Sequence, residues 1–297
     1  MAPKDQTLKI VTAQVHTLHD PERALDVLET RVRELSSEHV DLALFPEVFS
    51  AVGTFCDEKD HNPYTNHWRA SADLGDTPKG ADQKWMKREL PRPPNRTHRG
   101  EGTRERLEKI ATDTGVFIIV GVVERCGGTL YSSIVYICPR LGVIGKRRKV
   151  MPTGLERVAW GQGSPSTLEA VSTTIKVNAK DEGIAAICWE NWMPLLRQSI
   201  YEQGINLFLG PTAHATEIWV PLMQTIGIEC NAFVLSATPC IRASDLPEWI
   251  TESAERGDEI VSRGGSVIVS PSGDVAMAHS KNDDFVFTVD GLDMRTS

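Results

Sequence analysis

Cysteine is scarce in this chain: six in 297 residues, at positions 56, 126, 138, 188, 230 and 240, with no Cys-x-x-Cys pair. That spacing excludes a disulfide scaffold and leads us to expect reduced thiols, hence an intracellular, cytoplasmic setting. Long apolar runs are missing as well. Nothing approaches the roughly 20 residues needed to span a bilayer, and the polar start Met1 to Gln6 lacks the apolar core of a secretory signal. Positive charge is not in excess, since the formal net charge is -8 and acidic and basic residues are mixed along most of the sequence. No basic face is available for phosphate backbones, so neither nucleic acid nor a membrane is expected as a partner. The eight histidines show no metal-ligand spacing, which argues against a zinc site.

What is present is enough apolar material, 40% of the residues, to bury a large core. Strand-like and helix-like runs alternate from end to end, which predicts an α/β fold. The first strand covers Leu8 to Val15. A helix follows, with Asp20 as its N-cap, Pro21 at its first position, and Ala24, Leu25, Leu28, Val32 and Leu35 on one face. Leu42 to Phe45 reads as a buried strand ending at Pro46-Glu47. A second helix runs from Thr103 to Thr114 and stops at Gly115. Val116 to Glu124, Thr129 to Cys138 and Val143 to Val150 are strands joined by short turns, so antiparallel pairing is expected there. Further helices are predicted over Pro194 to Gln203 and Glu217 to Cys230. Strands are predicted over Leu207 to Leu209, Phe233 to Thr238, Ser266 to Val269, Val275 to Ala278 and Phe285 to Val289.

Residues 57 to 102 interrupt this rhythm. They are rich in Pro, Asn, Asp, Lys and Arg, with Trp68 and Trp85 isolated among them, and no helical or strand period is sustained. The expectation is a charged surface insertion over a pocket mouth, within one domain spanning 1–297.

Three positions carry chemistry. Cys188 lies in Ile184-Ala185-Ala186-Ile187-Cys188-Trp189-Glu190-Asn191-Trp192, where a buried strand ends and a helix begins one turn later. A thiol at a strand tip near the positive end of a helix is expected to favour the nucleophilic thiolate; the alternative is a buried cysteine serving as a small hydrophobe. Glu47 is delivered at the end of a strand buried on both faces, where active sites of α/β sheets gather and a desolvated carboxylate is a usable base near neutral pH. Its alternative is a loop-end carboxylate paired with a surface lysine. Lys149 closes the quartet Lys146-Arg147-Arg148-Lys149, in which strand alternation puts it on the face of Arg147 and opposite Arg148. One of these cations can point inward, although a basic quartet is usually a solvated edge.

Together the three sites resemble the nitrilase superfamily, the carbon-nitrogen hydrolases. Phe45-Pro46-Glu47, Arg148-Lys149-Val150-Met151-Pro152-Thr153 and Cys188-Trp189-Glu190 match the family's Glu-Lys-Cys triad in order and wide separation. Met151 to Arg157, Trp160-Gly161-Gln162-Gly163 and Cys188 to Arg197 look like its nitrilase branch. The resemblance implies a four-layer α-β-β-α sandwich and hydrolysis of an organic nitrile to the carboxylic acid and ammonia, with neither metal nor organic cofactor. Glu47 would be the base and Cys188 the nucleophile. Lys149 and the backbone N–H of Trp189 would stabilise developing negative charge.

Glu156 matches a second family glutamate beside the triad, where the residues alone suggest a salt bridge to Arg157. Trp160 and Trp189 are implied walls of the substrate pocket, and Thr212, Ala213 and His214 match a loop lining it. His214 stands where another polar residue is expected. The chain also departs from the family after Glu47, with Phe49 to Phe55 in place of a Tyr-Pro-Arg-Gly type segment. After Val289 it runs only to Ser297, where relatives continue into an arm across a partner subunit. A homo-oligomer, dimer or larger, is still expected. The rival activities are an amidase or carbamoylase of the same superfamily, with cyanide as a further substrate to weigh. The rival from another class is a catalytically idle scaffold.

Overall fold

The computed structural model describes residues 7–16, 20–48, 63–75, 100–154, 156–173, 175, 181–213, 216–247, 257–278, 285–286 and 289–293. In chain order the elements are β1 (Thr7–Gln14), α1 (Pro21–Ser37), β2 (Leu42–Leu44), α2 (Pro63–Arg69), α3 (Thr103–Thr114), β3 (Phe117–Cys126), β4 (Thr129–Cys138) and β5 (Gly142–Arg148). There follow α4 (Glu156–Ala159), β6 (Val171–Thr173), β7 (Asp181–Ala185), α5 (Pro194–Tyr201), β8 (Leu207–Leu209), α6 (Trp219–Cys230) and β9 (Phe233–Ser236). The remainder are β10 (Cys240–Arg242), β11 (Ile260–Arg263), β12 (Val267–Val269), β13 (Val275–Ala278), β14 (Phe285–Val286) and β15 (Val289–Asp293).

Two sheets account for most of the strands. The first is ordered β14-β1-β2-β3-β4-β5, with β15 also on β1; the second is β13-β12-β9-β8-β7-β6, and β10 and β11 form a separate ribbon. At the centre of each sheet three strands run parallel, β1-β2-β3 in one and β7-β8-β9 in the other. Their carboxyl ends are where ligand sites of such sheets form.

Strand alternation explains the layering. In β1, Leu8 and Ile10 face the second sheet while Val11 and Ala13 face α1 and α3; in β2, Leu42 and Leu44 face inward while Ala43 turns to the helices. From the other side Ala185, Leu207, Leu209 and Leu235 complete the core between the sheets. Phe208 and Val234 take the opposite face, under Ile200 of α5 and Met223 and Ile226 of α6. Helix, sheet, sheet, helix is the resulting order, and the expected α-β-β-α sandwich is the arrangement found.

The caps hold too. Asp20 accepts from the N–H groups of Glu22 and Arg23, and α3 ends at Gly115, whose φ of 74° no side chain tolerates well.

The structure corrects the expectation for part of the 57–102 segment. Residues 63–75 are built into the fold: α2 packs beside α4, and Ala70, Ser71, Ala72 and Leu74 are buried. Ala72 pairs with β3, donating to Val123 O at 2.7 Å and accepting from Arg125 N at 2.9 Å. Backbone pairing holds this stretch, so a search for side-chain periodicity missed it. Trp85 and the rest of the segment up to Arg99 lie outside the described residues.

Candidate active site

The site forms where β2, β5, β7 and β8 end. Glu47 follows β2, Lys149 follows β5, Cys188 follows β7, and Thr212 and Ala213 follow β8. All five are buried, with Glu47, Lys149 and Thr212 at 0% exposure and Cys188 at 3%.

Tight turns deliver the first and third. Val48, immediately after Glu47, has φ of 45°, and Cys188 itself has φ of 52°. Side-chain-bearing residues adopt this left-handed region at a cost of about 1–3 kcal/mol, so surrounding bonds must hold them there. For Cys188 those bonds are its N–H to Pro211 O at 2.9 Å and its carbonyl accepting from Asn191 Nδ2 at 2.7 Å. Arg197 in turn donates to Asn191 O at 2.8 Å, so the run from Cys188 to Arg197 is one bonded unit.

Lys149 is the hub. Its Nζ donates to Glu47 Oε1 at 3.0 Å and to Glu156 Oε1 at 2.8 Å. Burial opposes its charge, but Glu47, Cys188 and Glu156 outweigh that and hold the ammonium above the ordinary lysine range. Glu47 Oε1 also accepts from the Ser132 hydroxyl at 2.9 Å, and Oε2 from Ala213 N–H at 3.1 Å. Glu156 pairs with Lys149 and accepts from Thr153 N–H at 2.7 Å. The local pair with Arg157 does not form, because that guanidinium turns to Pro152 O at 3.0 Å. Burial, then the charge on Glu47, raises the Glu156 carboxyl above the usual carboxylate range.

Consecutive residues join sulfur to carboxylate. Pro211 O accepts from Cys188 N–H, the Thr212 hydroxyl donates to Cys188 Sγ at 3.1 Å, and Ala213 N–H donates to Glu47. The resting state of the sulfur differs from expectation. Burial, reinforced by the negative charge on Glu47, pushes the Cys188 thiol up to about 12, although Lys149 and Thr212 pull the other way. A helix start does not prevail over full desolvation, so the thiol is protonated at neutral pH until a base takes its proton.

The basic quartet is the larger correction. Alternation holds, but none of the four is a solvated edge residue. Lys146 and Arg148 turn to Glu124, while Arg147 meets Glu190 at 2.6 Å and Lys149 meets Glu47. Every cation is matched by a buried carboxylate, the condition under which such charges are tolerated.

The two tryptophans separate. Trp160 is buried in a cluster with Val48, Ala159 and Ala213, next to the turn that carries Glu47. Trp189 is 52% exposed and, with Trp192, Thr216, Ile218 and Trp219, lines a surface cavity of about 310 Å³. The adjacent residue of a tight turn points away from its neighbour, which takes Trp189 outward. His214 lies outside the described residues. Ser132, Glu124, Arg147 and Glu190 were not singled out from the sequence as site residues. Their only signal was being polar in otherwise apolar strands or beside the cysteine.

A buried thiol, a carboxylate and a lysine thus meet at the ends of two facing sheets. The chain belongs to the carbon-nitrogen hydrolase family, whose model matches residues 9–290, and it is a hydrolase acting on carbon-nitrogen bonds. Among its relatives, the aliphatic nitrilase of Sinorhizobium fredii (strain HH103) is 34% identical over 277 residues, covering 92% of this chain and 82% of that one. The bifunctional nitrilase/nitrile hydratase NIT4A of Lupinus angustifolius is 34% identical over 295 residues, 96% of this chain and 78% of that one. An arylacetonitrilase of Trametes versicolor (strain FP-101664) is 42% identical over 181 residues, 57% of this chain and 56% of that one. A solved structure of an amidase from Nesterenkonia sp. AN1, carrying acrylamide added at its active site cysteine, superposes with a TM-score of 0.67 at 19% identity, covering 95% of this chain and 92% of that one. At that identity the likeness shows the fold alone.

Proposed function

We propose that the protein is a nitrilase, converting an organic nitrile to its carboxylic acid and ammonia, with Cys188 as nucleophile, Glu47 as base, Lys149 as the cation that stabilises developing charge, and Glu156 as its anchor. The observation that carries this reading is the convergence of Lys149 Nζ on Glu47 at 3.0 Å, with Pro211 to Ala213 bonding both Glu47 and Cys188. The nitrilase names of relatives that align over nine-tenths of the chain support the substrate class.

Lone-pair accounting gives each atom a task. A carboxylate accepts about four hydrogen bonds, two per oxygen. Glu47 Oε1 is filled by Lys149 and Ser132, whereas among the described residues Oε2 takes only Ala213 N–H and keeps a place for the thiol proton. Lys149 spends two of its donors on Glu47 and Glu156, and the third serves the substrate. Glu47 takes the Cys188 proton as sulfur attacks the nitrile carbon, and the nitrogen accepts a proton to give a thioimidate. Lys149 and the Trp189 backbone N–H oppose the charge that grows on nitrogen, each such donor contributing about 3 kcal/mol. Water, deprotonated by Glu47, adds to the thioimidate carbon and ammonia leaves, forming a thioester. A second water releases the acid and restores the thiol.

Trp160, Thr212 and His214 are proposed to shape the substrate pocket, to which Trp189, its side chain turned to the surface, contributes its backbone N–H. The proposal extends to one catalytic domain working as a homo-oligomer in the cytoplasm. Support comes from the exposed Leu195 and Ile218 beside the α5–α6 face and from the free thiols of Cys138, Cys188 and Cys230. Among the described residues no helix is long and apolar enough to cross a membrane.

The test is ammonia release from a panel of aliphatic, aryl and arylacetic nitriles, with each matching amide run beside it. At least one nitrile should be turned over faster than its amide, and Cys188→Ala should abolish the activity. Hydrolysis confined to amides, or a fully active Cys188→Ala, would overturn the reading.

A further inference from the structure

Glu190 is a buried carboxylate beside the site with four hydrogen bonds, and the chemistry above does not use it. It lies in the 3-10 turn Cys188–Trp192 and is 0% exposed. Oε2 accepts from Ile187 N–H at 2.8 Å and from Arg147 Nη2 at 2.6 Å; Oε1 accepts from Val150 N–H at 2.7 Å and Met151 N–H at 3.3 Å. Ile187 is the residue before Cys188, and Val150 is the residue after Lys149. One side chain therefore grips the backbone beside the sulfur and the backbone beside the ammonium, which come from different sheets.

We infer that Glu190 is a positioning residue that sets the Cys188 turn against the Lys149 strand end, a role that rests on the reading of Cys188 and Lys149 as nucleophile and charge stabiliser. Two observations favour this over a plain ion pair. Among the described residues Arg147 engages Glu190 through Nη2 alone and its Nε and Nη1 find no partner, so the guanidinium balances charge without fixing geometry. Meanwhile the left-handed backbone of Cys188 needs bonds on both sides to persist, and the Glu190 bond to Ile187 N–H supplies one immediately before it.

Three variants separate geometry from charge, Glu190→Asp, Glu190→Gln and a double variant, with Cys188→Ala as the control. Glu190→Asp keeps the negative charge facing Arg147 but withdraws the oxygens by about 1.5 Å, one carbon–carbon bond. Its kcat on the best nitrile should fall about 100-fold while KM stays within about threefold, because a misplacement near 1 Å costs the chemical step rather than binding. The double variant pairs Glu190→Gln with Arg147→Met and so removes both charges. Its thermal midpoint should exceed that of Glu190→Gln alone, yet its kcat should remain depressed. A kcat near that of the parent in Glu190→Asp, or restored together with the midpoint in the double variant, overturns the proposal. Should Glu190→Asp fail to fold, the double variant decides. Turnover retained by Cys188→Ala overturns the underlying reading and this proposal with it, whereas turnover lost there but kept by Glu190→Asp overturns this proposal alone.

Discussion

The Thr212 hydroxyl donates to the Cys188 sulfur at 3.1 Å, from a residue whose neighbours bond the Cys188 N–H on one side and Glu47 on the other. A donor aimed at sulfur favours the thiolate, and this one acts against the burial that pushes the thiol up to about 12. Thr212→Val keeps the volume and loses the donor, so the thiol should rise further. We expect kcat/KM to fall about 10- to 100-fold, the range for a hydrogen bond to a charged group, and Thr212→Ser to recover most of it. Steady-state kinetics of the two variants check this; equal activity of valine and serine variants would contradict it.

Alkaline pH should destabilise this protein, in part through two fully buried acids. Burial pushes Cys188 up to about 12 from its ordinary 9.0, and Tyr136, whose hydroxyl oxygen accepts from Ala185 N–H across the sheets, up to about 12 from 10.0. Both raised values mean that the folded chain still holds protons the unfolded chain has lost. The share of Cys188 is fully present below about pH 9 and that of Tyr136 below about pH 10; each is then lost at about 1.4 kcal/mol per pH unit as pH climbs toward 12. Urea midpoints measured from pH 7 to 11 should be flat at first and fall above 9. Cys188→Ala should fall less steeply, and an identical slope would show that the thiol is not the group responsible.

Local chemistry was legible in the sequence wherever one residue decides the backbone. Asp20 and Pro21 fixed the start of α1, and Gly115 fixed the end of α3, because a cap and a left-handed glycine act within a few residues. Strands β10 and β11 were not anticipated. They are short and, among the described residues, pair only with one another, so neither shows the alternation of a half-buried sheet. The site divides in the same way. Motifs located Glu47, Lys149 and Cys188, but not the burial of the whole basic quartet, since Glu124 and Glu190 stand 22 to 43 residues from the cations they neutralise. Desolvation is likewise a property of the assembled sandwich, which is why the thiol expected as thiolate is protonated.

Glu124 should be among the costliest single charges to remove. It is fully buried and accepts from Lys146, Arg148 and the Ser133 hydroxyl. Glu124→Gln leaves the buried Arg148 guanidinium, and a Lys146 amine that burial and Arg148 already hold well below the ordinary lysine range, facing a neutral amide, and breaking such an arrangement costs about 3–5 kcal/mol. Glu34→Gln, which removes an exposed partner of Arg31, should cost well under about 1 kcal/mol. Urea denaturation of both variants gives the comparison, and a loss in Glu124→Gln as small as that in Glu34→Gln would mean the cations find water or another anion.

Gly121 tests whether the turn at Glu47 tolerates any displacement. It sits mid-strand in β3, donates to Pro46 O at 3.2 Å, and a Cβ there would lie 2.5 Å from Pro46 O and 2.6 Å from both Glu47 Cα and Val48 N. Those are backbone atoms, so no side chain can swing aside. Gly121→Ala must move the residue that carries the base, at a point where Val48 already holds a φ of 45°. Overpacking of this kind costs about 1–3 kcal/mol in stability, and the shift of Glu47 should lower kcat by about 100-fold. Gly183→Ala on β7 is the matched control, because its Cβ would meet Leu207 at 3.5 Å, an ordinary contact. Loss of turnover in Gly121→Ala beside full activity in Gly183→Ala would place the effect at Glu47. Equal activity in the two would mean that this strand end shifts without consequence for the base.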